Sequence, residues 1–102
     1  MESLVAERTQ QIAALCRRFR VRRLDLFGSA ATGSFDPTSS DVDLLVEFED
    51  LRPGEYADAY FGLLAALEEL LGRRVDLLMA TAVRNPYLLR SIAATKMGLY
   101  AA

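Results

Sequence analysis

Ser40-Asp41-Val42-Asp43-Leu44-Leu45-Val46-Glu47-Phe48 alternates polar and apolar side chains, with Leu45 the one departure. That period of two belongs to a β-strand with one buried face. A strand over 41–48 turns Asp41 and Asp43 to one side and Val42, Leu44, Val46 and Phe48 to the other. The apolar set demands a covering layer. The two carboxylates share one small volume, where they repel unless a proton or a cation lies between them, and an oxygen-rich site of this kind favours Mg²⁺. Taken alone, Asp-x-Asp fits a solvated strand face equally well.

Upstream, Val21 to Phe27 reads as a short strand with Leu24 and Leu26 on one side, stopped by Gly28-Ser29. Ala30, Ala31 and Thr32 before Gly33 suit a single helical turn, and residues 36–40 form a turn-rich loop. Ser3 is placed to cap a helix that runs to about Arg20, with Val5, Ile12, Leu15, Cys16 and Phe19 on its buried face. Downstream, Arg52-Pro53 opens a long helix with Tyr60, Leu63, Leu64, Leu67, Leu70 and Leu71 inward and Gly72 as its stop. Val75 to Met79 is a third strand. Asn85-Pro86 reads as a helix cap and first-turn proline, with Leu88, Leu89, Ile92 and Ala93 inward and Gly98 ending the helix. The order helix-strand-helix-strand-helix-strand-helix predicts one α/β domain over residues 1–102, a small sheet covered by helices.

Composition narrows the chemistry. A chain of 102 residues, 52% of them hydrophobic, builds one modest core. Histidine is absent, which removes the commonest general base and zinc ligand and leaves acid-base or metal chemistry to carboxylates. Cys16 is the sole cysteine, so no disulfide forms within the chain, and its helical spacing from Ile12 and Phe19 makes it a core residue. No apolar run reaches the roughly 20 residues of a membrane span, and the N-terminus lacks an export pattern. A cytoplasmic protein is expected. The net charge of −2 is uneven: acids crowd residues 36–58, whereas Arg17, Arg18, Arg20, Arg22 and Arg23 form a basic run. That run could meet nucleic acid, but the acidic balance of the chain favours a solvated helix end, and no direct nucleic-acid binding is expected.

A third carboxylate, Asp76, stands near the start of the third strand. If that strand neighbours 41–48, Asp41, Asp43 and Asp76 converge on a pair of metal ions about 3.5–4 Å apart, suited to in-line displacement of pyrophosphate. Without histidine, Asp76 is the candidate to help take the proton of the attacking hydroxyl. Gly28-Ser29 directly follows a strand. Glycine permits a sharp turn with free N–H groups for phosphate oxygens, and Ser29 adds a hydroxyl. Alone, that pair fits an ordinary tight turn as well. The combination in this order reads as a phosphate turn followed by a metal cage.

Phe27-Gly28-Ser29, Ser40-Asp41-Val42-Asp43-Leu44-Leu45-Val46 and Val75-Asp76-Leu77 together resemble the minimal nucleotidyltransferase (MNT) group of the DNA polymerase beta superfamily, and Asn85-Pro86-Tyr87 resembles its closing helix. The resemblance implies an α+β nucleotidyltransferase fold with a mixed three-stranded core sheet, and transfer of a nucleoside monophosphate from a triphosphate. It implies that Gly28 and Ser29 hold the triphosphate, that Asp41 and Asp43 bind two Mg²⁺ ions, that Asp76 completes the site, and that ATP is the substrate. Small members are similar to the antitoxin of HEPN-MNT pairs, which adds AMP to a tyrosine of a helical ribonuclease toxin. A hetero-oligomer with such a toxin is therefore expected. A binding-only antitoxin, or a subunit acting on a small molecule, are the other readings. One departure stands out: the family commonly has Gly-Ser-x-Ala-Arg-Gly, and Thr32 occupies the arginine position, which predicts weaker triphosphate binding or altered site geometry. Tyr56, Phe61, Tyr87 and Tyr100 fit either core or partner surface, and Tyr60 fits core.

Overall fold

The computed structural model describes residues 1–36 and 40–102. Two short helical pieces, α1 (Ser3–Ala6) and α2 (Thr9–Arg18), precede β1 (Val21–Phe27). A single turn, α3 (Ser29–Thr32), leads towards β2 (Val42–Phe48), and α4 (Glu55–Leu71) returns the chain to β3 (Val75–Met79). A 3₁₀ turn (Ala80–Ala82), α5 (Pro86–Thr95) and β4 (Met97–Ala101) complete the order. The sheet has the order β3-β2-β1-β4, with β2-β3 parallel and the β1-β2 and β1-β4 pairs antiparallel.

The alternation of β2 is realised residue by residue. Val42, Leu44, Val46 and Phe48 are buried, and Asp43, Leu45 and Glu47 are partly exposed on the other face. Leu24 and Leu26 of β1 and Val75 and Leu77 of β3 join that buried set, and Ile12 and Cys16 of α2 with Leu63, Leu67 and Leu71 of α4 cover it. The helical spacing of α4 therefore does what its leucines predict, and Gly72 ends it in the left-handed conformation at φ 65°. Tyr60 is partly buried and donates its hydroxyl proton to the Leu77 carbonyl. Cys16 is fully buried, and burial pushes its thiol up to about 12. No helix among the described residues is long and apolar enough to cross a membrane.

Three expectations change. The sheet has a fourth strand, because the chain leaves α5 at Lys96, already extended at φ −61° and ψ 140°, and pairs Met97–Ala101 along β1. Leu99 and Tyr100 gain cover against the core in that position, whereas Gly98 in the sequence reads as a helix stop. The first helix is broken after Ala6, and Ser3 does not cap it: its hydroxyl bonds the Glu2 carboxylate at 3.3 Å, while Glu2 supplies the backbone carbonyl that accepts from Val5 and Ala6. In α5 only Ile92 is buried; Leu89 and Ala93 face solvent. The loop expected at 36–40 falls partly on residues 37–39, which lie outside the described residues, but its ends are tied by the Ser40 N–H on the Asp36 carbonyl and the Asp36 N–H on the Ser40 hydroxyl, both at 2.9 Å.

Part of the arginine run is paired with acids, Arg20 and Arg22 with the acidic middle of the chain and Arg23 with its own strand. Arg20 meets Glu49 at 3.5 Å, Arg22 meets Glu47 at 3.3 Å and Asp50 at 3.7 Å, and Arg23 meets Asp25 at 3.2 Å.

Helices α2 and α4 approach closely at Gly62. A Cβ there would lie 2.5 Å from the Phe19 ring, so the methyl must displace an aromatic packed against the core. Gly62→Ala is expected to destabilise the chain by about 1–3 kcal/mol, read as a lower denaturant midpoint, with Phe19→Leu in the same background recovering part of the loss. An unchanged midpoint would mean that the two helices separate at no cost.

Candidate active site

Hydrophobic register places the acids. The parallel β2-β3 pairing sets Asp43 opposite Asp76, and the antiparallel β1-β2 pairing sets Phe27 opposite Asp43, so that Gly28 follows directly beside that carboxylate. Asp43 is partly exposed on the face of β2 turned away from the main core, and Asp76 is exposed at the second position of β3. Asp41 is exposed just ahead of β2. The three expected acids thus gather at one end of two neighbouring strands, and their fields overlap. Burial, followed by the charges of Asp76 and Asp41, pushes the Asp43 carboxyl up to about 6.

Gly28 adopts φ 71° and ψ −149°, a region closed to L side chains. A Cβ there would stand 2.5 Å from Asp43 Oδ2. The backbone at 28 and the carboxylate at 43 therefore share a space that only glycine leaves open. Ser29 follows as the first residue of α3, partly buried. The Gly28 carbonyl accepts from the Ala31 and Thr32 N–H groups at 3.1 and 3.2 Å, and from the Thr32 hydroxyl at 3.3 Å. Thr32, at the position of the family arginine, thus braces the turn locally.

One expectation for this turn is corrected. The Gly28 N–H is not free: it donates to Thr95 Oγ1 of α5 at 3.0 Å. Sequence reading missed Thr95, since no local signal connects residues so far apart. It also missed Arg73, whose guanidinium donates to the Ser40 carbonyl at 2.9 Å and lies 5.2 Å over the Phe35 ring, holding the segment that enters Asp41. The Val42 N–H on the Arg74 carbonyl at 3.1 Å ties the same segment to the start of β3. Asp25, buried at 3% exposure in β1, was likewise unremarked in the sequence, and its charge is met by Arg23.

Among the described residues, no three His, Cys, Asp or Glu side chains form a ready-made metal cage. The donor chemistry nevertheless fits Mg²⁺, which takes one or two carboxylates and fills its remaining positions with water and substrate phosphates. The exposed Asp41 and Asp76 beside Asp43 provide such a partial set.

Residues 8–96 match the family described as the nucleotidyltransferase domain, and the chain belongs to that family. It is a nucleotidyltransferase. The protein adenylyltransferase MntA of Thermococcus cleftensis is 36% identical over 85 residues, 83% of this chain and 82% of that protein. A solved structure provisionally assigned as a minimal nucleotidyltransferase aligns with a TM-score of 0.76 at 33% identity, covering 95% of each chain. A complex of tri-AMPylated Shewanella oneidensis HEPN toxin with MNT antitoxin aligns at a TM-score of 0.65 and 21% identity, over 95% of this chain and 72% of that one. At that identity the likeness concerns the fold alone.

The raised Asp43 carboxyl has a signed consequence for stability. Its folded value of about 6 lies above the ordinary 3.8, so the native state holds this proton more tightly than the unfolded chain. Stability in EDTA should fall as pH rises through that window and stay lower above it. Asp43→Asn removes the cost. The variant is expected to melt above the wild-type chain at pH 8, with the gap closing by pH 4; melting curves offset equally at both pH values would overturn this account.

Proposed function

We propose that the chain is a Mg²⁺-dependent protein adenylyltransferase that transfers AMP from ATP to a tyrosine of a HEPN ribonuclease toxin, and thereby acts as its antitoxin in the cytoplasm. The observation that carries this reading is the placement of Asp43 between the Gly28 backbone and Asp76, on an exposed end of the sheet. Gly28 and Ser29 hold the triphosphate, Asp41 and Asp43 hold the metal pair, and Asp76 stands beside the acceptor hydroxyl. When bound, Mg²⁺ supplies charge neutralisation for the phosphates and a lowered proton affinity at the hydroxyl. In the transfer, the phenol oxygen bonds to the α-phosphorus and the bond from that phosphorus to the bridging oxygen breaks. Pyrophosphate leaves, and the phenol proton passes to the Asp76 carboxylate.

Exposure of Asp41 and Asp76 supports a macromolecular acceptor, since a folded protein can bring a tyrosine to an open face. The adenylyltransferase MntA relative and the fold shared with the AMPylated toxin complex support the same acceptor class. The complex with the toxin would be a hetero-oligomer. Thr32 favours a second reading, in which the chain neutralises its toxin by binding alone: the side chain at this position bonds back to the Gly28 carbonyl and offers no guanidinium fork to a phosphate.

Intact-protein mass spectrometry of a HEPN toxin, after incubation with the chain, Mg²⁺ and ATP, separates the two. A gain of one or more AMP masses, abolished in Asp43→Asn, is the expected outcome. An unmodified partner in a stable complex would replace transfer with steric neutralisation, and AMP transfer to a small molecule with no partner present would overturn the protein acceptor.

A further inference from the structure

We propose that Thr95 is a positioning residue for the nucleotide turn: its hydroxyl fixes the Gly28 N–H and so sets the place at which Gly28 and Ser29 meet the triphosphate. This rests on the reading of Gly28-Ser29 as the triphosphate turn.

The hydroxyl is committed on both sides. Thr95 Oγ1 accepts from the Gly28 N–H at 3.0 Å and donates its own proton to the Ser91 carbonyl at 2.7 Å. With its single proton aimed along α5, the oxygen can only accept at Gly28, and the chain of two bonds strengthens each. On its other side, Gly28 is held through its carbonyl by Ala31 and Thr32. The residue is thus gripped at both its peptide groups in a conformation, φ 71° and ψ −149°, that glycine adopts freely among several others and that L residues avoid.

That grip matters because of what adjoins it. Gly28 is in close contact with the Asp43 carboxylate, so a small rotation of the turn changes the distance between the phosphate-holding backbone and the metal-holding acid together. Helix α5 has only Ile92 buried, and the Thr95 bond ties this thinly anchored helix to the turn. Neither the family motifs nor any local pattern marks residue 95.

The opposite role is that of a placeholder, in which Thr95 occupies an N–H that phosphate must take over. The two roles differ in sign. Removing a holder weakens nucleotide binding, and removing a competitor tightens it.

The test is the binding of AMP-PNP with Mg²⁺ to the full chain, measured for wild type, Thr95→Val and Thr95→Ser, together with hydrogen exchange of the Gly28 amide. Thr95→Val removes the hydroxyl at nearly constant volume and is expected to raise Kd about fivefold and to accelerate Gly28 exchange. Thr95→Ser keeps the hydroxyl and should restore both. If valine prevents folding, Thr95→Ala is judged by the same ratio. Equal or tighter binding by Thr95→Val, or a loss that serine fails to rescue, would overturn the proposal. A wild-type chain that does not bind AMP-PNP would instead overturn the assignment of the turn to the triphosphate, and the role of Thr95 with it.

Discussion

The contact between the Gly28 backbone and the Asp43 carboxylate is the constraint on which the site depends. It exists because β1 and β2 pair with Phe27 opposite Asp43, and that register is held by the apolar residues of the buried face. Slipping β2 by one residue would turn Val42, Leu44 and Val46 out of the core and Asp43 into it. The energetic weight lies with the leucines and valines, each fully buried aliphatic side chain contributing about 1.5–3 kcal/mol. Packing on one face of the sheet therefore fixes chemistry on the other. The same register carries through β2 to β3, where it brings Asp76 opposite Asp43, so no side-chain interaction is needed to bring two repelling acids together.

Charge is distributed along the strands to a similar end. At the C-terminal end of β2, Glu47, Glu49 and Asp50 meet Arg20 and Arg22, while Asp25 meets Arg23 on β1. Most of these pairs are exposed and each is worth about 0–1 kcal/mol, too little to hold the fold. Their effect is on the field: one end of the strand pair is neutralised by its neighbours, whereas Asp41, Asp43 and Asp76 at the other end form no salt bridge among the described residues. Of the arginine run, Arg17 and Arg18 stand exposed in the last turn of α2, as the solvated helix end read from the sequence, while Arg20 and Arg22 counter the acids at the end of β2.

Elements written in local pattern were legible. The alternation of Val42–Phe48, the leucine stripe and Gly72 stop of α4, and the Asn85 cap, whose Oδ1 accepts from the Tyr87 and Leu88 N–H groups at 2.9 and 3.4 Å, are each set by neighbours within a few residues. The acids were legible because Asp41 and Asp43 share a strand, and because Val75–Met79 is apolar enough to sit beside it. What escaped was set by distant residues. Met97–Ala101 contains a glycine and no alternation, and it becomes a strand because β1 offers it an open edge. Leu89 and Ala93 have the spacing of a buried face, yet α5 meets too little of the sheet to cover them. Thr95 and Arg73 act on backbone groups far along the chain, and a bond of that kind leaves no mark on the spacing of either residue.

The electrostatics of Asp43 show where the fold has not been optimised for stability. A partly buried carboxyl flanked by Asp76 and Asp41 is held near 6, so at neutral pH its ionised form opposes folding. An asparagine at this position would keep the shape and remove the repulsion. Leu45 and Glu47, on the same face of the same strand, are accommodated without such conflict, the one apolar and the other paired with Arg22. Local destabilisation confined to one end of one strand, beside the backbone position that only glycine can occupy, is the signature of a site whose demands differ from those of the core. Since the core register creates the conflict, the chain cannot relieve it by sliding or bending β2 without exposing Val42, Leu44 and Val46. Relief has to come from a cation or a proton at the acids themselves.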